Sequence, residues 1–354
     1  LLPMGEAHAG QTAALAGLSA RPGERIGDGF GLEAPETVPL MSVQVEPMAP
    51  LTQSALLAHL REMEEEDPLL SVRPEADGVS VGVMGAVQVE VLQGILAARF
   101  GDVVRMCPPH VLYRETIAAP VVGIGHYEPL RHYAEVWLKL EPGAPGSGVS
   151  FAADCPPNSL EENWQRLIRT HVFERAHPGV LTGSPLCDVQ IRLIAGRAHL
   201  KHTEGGDFRE ATCRAIRNAL MQAENVLLEP VVRFELAMPN EALARVTGEL
   251  LRIGAQLDAS ETDGEETTLT GRCTAAMFWD YPTRFAASTR GHGRIASRFD
   301  RYEPCKNQDD MVRQIGYDPL ANTLNPPGSV FCSHGAGFYV AWDHVREWAH
   351  CEVE

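Results

Sequence analysis

The chain has 354 residues, 44% of them hydrophobic and 22% charged, and a formal net charge of −17. That length allows two to four domains, and the composition is that of a globular rather than a disordered protein. The acidic balance excludes indiscriminate nucleic-acid binding, which needs broad positive surface, but leaves room for RNA contact through a local patch.

In chain order, residues 1–37 hold short apolar stretches broken by "RPGERIGDG". They read as turns and the last strands of a small β-barrel whose beginning is missing. "LMSVQVEP" (40–47) alternates like a strand. Thr52 can cap a helix that turns Leu56, Leu57, Leu60 and Met63 to one side and stops at Pro68. Short strands are expected at 69–73 and 79–84. A second helix is expected over 87–99 with Val87, Val91, Leu92, Ile95 and Leu96 inward, then a strand at 102–107. The order β-α-β-β-α-β is that of a split, ferredoxin-like unit.

A central block follows. "HYAEVWLKLEP" (132–142) reads as a long strand and "EPGAPGSG" as a linker turn. "SLEENWQRLIRTHVFERA" (159–176) predicts an amphipathic helix with a capping box of Ser159 and Glu162. Another strand covers 188–196, and a helix over 207–223 is expected to be capped by Asp207. The β-α-β-β-α-β order then recurs. It runs through a strand at 231–238, a helix of 240–253 with Leu243, Val246, Leu250 and Leu251 inward, strands at 255–257 and 267–273, a helical stretch at 279–287, and a strand at 294–299. The residues from 303 onward fit none of these units.

The chemistry is marked first by absences. GxxxxGK[ST] does not occur, so no phosphate-cradling loop of the usual kind is encoded, and neither GxSxG nor HExxH is present. The eight cysteines stand singly with no CxxC, which favours reduced thiols in a cytosolic protein. No apolar run reaches about 18 residues and no signal peptide is visible, so no membrane span is expected. "GRAHLKHTEGG" carries Arg197, His199, Leu200, Lys201 and His202 between a strand and a helix. Two imidazoles three apart can ligate a metal, yet in a loop without cysteine they suit contact with phosphate backbones better. "CSH" at 332–334, with Cys305, His344, His350 and Cys351 in the same tail, invites a zinc reading, but only one pair is tightly spaced, so these residues are expected to be structural. Trp279, Tyr281 and Phe285 could stack bases or equally form a buried helical face.

Longer segments carry a resemblance. "VPLMSVQVEP…LREMEEEDPLLSV…GVMGAVQVEVL…YRETI", then "HYAEVWLKLEPGAPGSG…LTGSPLCDVQIRLIAGRAH" and "LLEPVVRFELAMP", closing with "TRGHGRIASRF", resemble the later domains of elongation factor G and its relatives over residues 10–303. Asp207-Phe208-Arg209 and the divergent loop before it look more like tetracycline ribosomal protection proteins of the Tet(M) kind. The resemblance implies an α+β, multidomain chain in which two ferredoxin-like βαββαβ domains flank a central α+β domain, with a β-barrel remnant at the N-terminus. The implied boundaries are 1–37 for the barrel remnant, 38–108 for a third domain, 109–228 for a fourth, 229–302 for a fifth, and 303–354 for an extension. It implies a monomer in the cytoplasm whose partners are the ribosome and ribosomal RNA, with no DNA or membrane. Arg197, His199, Leu200, Lys201 and His202 would then form the tip that touches RNA near the decoding region. No cofactor, metal or catalytic residue is expected in this chain, and GTP and magnesium belong to an amino-terminal GTPase domain of the full-length parent. The alternatives are an elongation factor G-type translocase or other ribosome-associated GTPase, and a stand-alone RNA-binding or metal-binding protein.

Overall fold

A computed structural model describes residues 39–75 and 78–351, with a few positions before residue 18. The expected barrel strands of 1–37 therefore fall almost wholly outside the described residues. Two compact units divide the chain, Leu1–His110 and Val111–Glu354.

In the first unit, β1 (Met41–Pro47) buries Met41, Val43 and Val45 by strict alternation. Then come α1 (Gln53–Glu66), β2 (Arg73–Pro74), β3 (Val79–Val83), α2 (Ala86–Ile95), β4 (Val104–Met106) and, at the boundary, β5 (His110–Val111). The strand order is β2-β3-β1-β4, with Val43 opposite Val81 in an antiparallel pair. The Thr52 hydroxyl accepts from the Ala55 N–H at 3.3 Å and starts α1, which buries Leu56, Leu60 and Met63. The glutamates at its far end are surface ion-pair partners, since Arg99 reaches both Glu62 and Glu66.

The face expected of α2 is corrected. Leu92 and Leu96 are buried, but Val87, Val91 and Ile95 are exposed. Those three lie four apart on one stripe, while Leu92 and Leu96 lie on the next, and only the latter meets the sheet. The helix is apolar on both, so hydrophobicity alone does not choose between them.

The second unit holds two sheets. Its elements are β6 (Arg114–Ile117), β7 (Val121–Tyr127), β8 (Ala134–Pro142), β9 (Val149–Ala153), α3 (Glu162–Phe173), β10 (Val189–Ala198), α4 (Gly205–Gln222) and β11 (Asn225–Pro239). They continue with α5 (Leu243–Arg252), β12 (Gln256–Asp263), β13 (Glu266–Thr274), α6 (Ala275–Phe278), α7 (Tyr281–Ser288), β14 (Arg294–Pro304), α8 (Gln308–Ile315), β15 (Ser329–Ser333), β16 (Ala336–Val340) and α9 (Val345–Trp348). One sheet runs β16-β15-β7-β8-β10-β9, and the other β12-β13-β11-β14 with β6 beside the start of β11.

The first of these sheets is covered on both faces, because successive residues of a strand point to opposite sides. Val136 and Leu138 of β8 pack with Phe208, Ala211, Ala215 and Ala219 of α4. Ile124 and Trp137 point the other way and pack with Phe331, Val340 and Val345 of the tail. The segment that matched no unit in sequence is thus half of the cover of this sheet, and β15 extends the sheet beside β7.

Two further expectations are corrected and one alternative is decided. The helix α3 begins at Glu162, with Glu161 at its N-cap and no side-chain cap; Ser159 instead lies in a turn, its N–H donating to Pro156 O at 2.9 Å. Leu251 is exposed beyond the buried Val246–Leu250 stripe of α5. Of the two readings open for Trp279, Tyr281 and Phe285, the buried helical face is the one found: Tyr281 and Phe285 are buried and Trp279 is half-buried, so the first two have no face to offer a base.

Candidate functional site

Strand β10 stays paired with β8 to its last residue, Ala198 opposite Ala134. The following helix starts at Gly205. The Glu204 N–H donates to the Asp207 carboxylate at 2.9 Å, so Asp207 sits in the first turn and Glu204, not Asp207, is the N-cap residue. A reciprocal box between Glu204 and Asp207, three positions apart, fixes this register, and the two glycines fall inside the helix rather than before it.

The five residues singled out in sequence lie between these fixed ends, and all are exposed: Arg197, His199, Leu200, Lys201 and His202. Leu200 is 101% exposed, so it contributes nothing to a core. The His199 and His202 rings stack at 4.5 Å with a 17° tilt, side by side at the surface. The His199 N–H donates to Thr203 Oγ1 at 2.6 Å, and that hydroxyl donates to Tyr133 O at 2.7 Å. These bonds shape the loop from within. Neither Arg197 nor Lys201 has a carboxylate partner among the described residues.

A second loop, missed in sequence, stands beside the first. The connection between β7 and β8 exposes Leu130 and Arg131, with Arg131 in the left-handed region at φ 66°. His132 Nδ1 lies 2.8 Å from Asp207 Oδ1, which ties this turn to the start of α4. Pro129 between two alternating segments was the available signal for the turn, but "HYEPLRHY" reads just as well as continuous strand. Together the two loops present Arg131, Arg197 and Lys201 with two imidazoles and two exposed leucines, a small cationic and apolar surface on an acidic chain.

Below them lies a buried stem. Glu135 of β8 is fully buried and accepts four hydrogen bonds: from His126 Nδ1 (2.7 Å), Trp137 Nε1 (2.8 Å), and the backbone N–H groups of His350 (2.8 Å) and Cys351 (2.7 Å). Burial alone would raise its pKa, but these donors together overcome that and hold the carboxyl at about 2. Phe331 stacks on the His126 ring at 4.1 Å, and Tyr133 Oη lies 3.0 Å from His350 Nδ1. Arg197 reaches the His350 carbonyl at 3.4 Å. The C-terminal tail is therefore fastened to the roots of both loops.

Neither proposed metal pairing in sequence forms a ligand cluster. Among the described residues, the group with metal-ligand geometry is His126, Glu128 and His350. Cys332 and His334 lie in the β15–β16 hairpin, where the Cys332 N–H donates to Glu128 Oε2 at 3.3 Å. No helix among the described residues is long and apolar enough to cross a membrane.

Comparison with known proteins bears on this geometry. Residues 109–224, which carry both loops, match the family model of elongation factor G, domain IV, and residues 226–312 match that of the elongation factor G C-terminus. Residues 109–312 are thus matched, almost without a break, by two successive elongation factor G family models. A crystal structure of a protein from Thermus thermophilus is similar in fold, with a TM-score of 0.66 and 24% identity, over 82% of this chain and 45% of that one. This chain thus spans less than half of that protein. Within the segment matched by the domain IV model, the loop pair occupies one end of the sheet. The tail beyond residue 312 lies outside both matched segments, yet completes the cover of that sheet.

Proposed function

We propose that this chain is the ribosome-binding C-terminal portion of a translational GTPase resembling the tetracycline ribosomal protection proteins, which act at the decoding region to release the drug. The observation that carries this reading is the exposed loop pair at one end of the sheet matched by the domain IV model, with cations that have no carboxylate partner among the described residues, above a buried hydrogen-bonded base. Phosphate contact needs mobile or well-placed cations near the surface, and a net charge of −17 confines such contact to a local patch. Arg197, His199, Leu200, Lys201 and His202 form the contacting tip, joined by Leu130 and Arg131. The proposed domains are 38–108, 109–228 and 229–302, the first and last ferredoxin-like in keeping with strand orders β2-β3-β1-β4 and β12-β13-β11-β14, followed by the extension 303–354. GTP and magnesium are assigned to the full-length parent.

The test replaces His199–His202 with Gly and Ser in the full-length parent. Stability should change by no more than roughly 0.5 kcal/mol, as for ordinary surface sites. Ribosome affinity should fall, and its salt dependence should flatten by about one unit of slope per lost phosphate contact. Lost rescue of translation from tetracycline, with unchanged melting, supports the protection reading. Lost ribosome affinity with no rescue even in the unaltered parent would point to a translocase instead.

A second expectation concerns nucleotide. Isothermal titration of GTP into the 354-residue chain should show no binding, since no Walker loop is encoded. Micromolar affinity would overturn the assignment of GTP to the parent alone.

A further inference from the structure

The cluster at the foot of the loops has a chemistry that RNA contact does not use. His126 is fully buried, and its Nδ1 lies 2.7 Å from Glu135 Oε2, an ionised carboxylate that can only accept. The imidazole proton therefore sits on Nδ1, and Nε2 carries a lone pair. That lone pair faces another acceptor, Glu128 Oε2, at 3.2 Å. Two acceptors at hydrogen-bond distance need either a second proton or a cation between them. The third group, His350, is held on its Nδ1 side by the Tyr133 hydroxyl at 3.0 Å, which leaves Nε2 as its free donor atom. One ligand atom from each of the three residues lies within 4.8 Å of the others.

We propose that His126, Glu128 and His350 form a divalent transition-metal site, zinc being the best fit, that clips the C-terminal tail to the root of the loop pair. Two imidazoles and one carboxylate are a donor set for zinc and its neighbours, and they disfavour magnesium and calcium, which take oxygen donors. The surroundings match what such sites require. A carboxylate, Glu135, orients the His126 ring and a hydroxyl, Tyr133, orients His350, the outer contacts that fix imidazole ligands and strengthen them as donors. Three protein ligands leave a fourth tetrahedral position for water or another ligand, and Glu128 and His350 stand near enough to the surface for a cation to enter. The sequence could not show this set, because His350 lies 224 positions from His126 and the pair is brought together only when the tail closes over the sheet.

Without a metal, the same geometry is explained by a doubly protonated His126 between Glu128 and Glu135, with His350 a bystander. Cobalt separates the two. The 354-residue chain, stripped with chelator and kept reduced, is titrated with Co2+ and followed by its visible absorption. The expected result is one equivalent bound with the bands of nitrogen and oxygen donors, displaced by zinc, and without the charge-transfer absorption a thiolate ligand would add. Zinc should also raise the melting temperature of the chain. His350→Ala and Glu128→Gln change residues outside the core, so both variants should fold, and each should weaken binding by roughly 100-fold or more, beyond the usual loss of an outer contact. Absence of stoichiometric binding, thiolate charge transfer in the spectrum, or unchanged affinity in His350→Ala would each overturn the site and leave the imidazolium network in its place.

Discussion

Glu135→Ala is expected to destabilise the Val111–Glu354 unit by about 3–5 kcal/mol, the range for removing one partner of a buried charged network. The carboxylate is the common acceptor for four donors, two of them backbone N–H groups of the tail. With alanine in its place all four lose their partner, the His126 and Trp137 donors in buried positions, and an unsatisfied buried donor costs about 1–3 kcal/mol. Two consequences should be separable. Urea unfolding should show the lower stability, and limited proteolysis should cut the tail near residues 345–351 well before the rest of the unit. Glu135→Gln keeps one acceptor oxygen but turns an amide NH2 toward groups that donate, so it should fall between alanine and the unaltered chain. A tail that remains as protected in Glu135→Ala as before would show that the apolar contacts of Phe331, Val340 and Val345 hold it without the carboxylate.

That apolar contact merits its own expectation. Phe331 is buried between the His126 ring and the side chains of Phe338 and Trp348. Phe331→Ala should cost about 3–5 kcal/mol by the usual sum of lost transfer energy and cavity. Chemical denaturation of the same unit measures it.

What the sequence reveals and hides follows from distance along the chain. The strand β1 is legible because period-2 alternation is a local property, and α1 because Thr52 and its helix are neighbours. The loop of Arg197–His202 is legible for the same reason: a strand ends on one side and a helix begins on the other. The N-cap falls at Glu204 rather than Asp207 because both are carboxylates three apart, and only the reciprocal hydrogen bond tells them apart. The exposed stripe of α2 is illegible because the helix has more apolar residues than the sheet can cover. The tail is illegible for a different reason. Arg214 and Arg217 of α4 are buried. Apart from the Glu210 carboxylate one turn before Arg214, their partners include carbonyls and a hydroxyl of the tail or loops, Gly328 O, Pro319 O, Gly179 O and Tyr317 Oη. Backbone acceptors carry no sequence signature, so nothing in "GYDP" (316–319) or "NPPGSVFCSHGAGF" (325–338) announces that the tail closes over the buried guanidinium groups of Arg217 and Arg214. Glu115 repeats the pattern with opposite sign, accepting from the N–H groups of Leu181, Thr182 and Ser184.

Gly125→Ala is a further large effect, expected to cost about 3 kcal/mol, the upper end for forcing extra volume into a packed core. Strand β7 crosses under α4 at Gly123 and Gly125, where the helix backbone lies directly on the strand. A Cβ at Gly125 would overlap the Ala211 carbonyl and sit 2.5 Å from Ala215 N. Both are main-chain atoms of α4, so no side chain can turn aside, and the helix itself must lift. Lifting it moves Asp207, which holds the Glu204 N–H and His132, and so loosens both loops at once. The variant should therefore lose ribosome affinity in the full-length parent along with stability, unlike the Gly–Ser replacement of the loop, which should lose affinity alone. Gly94→Ala is the control. That glycine lies in α2 with open space where a Cβ would go, and in a helix interior the change should stabilise by roughly 0.5–1 kcal/mol. Paired denaturation curves decide it: equal, small effects at the two positions would show that α4 rides over β7 with slack, and that the loops are not set by that contact.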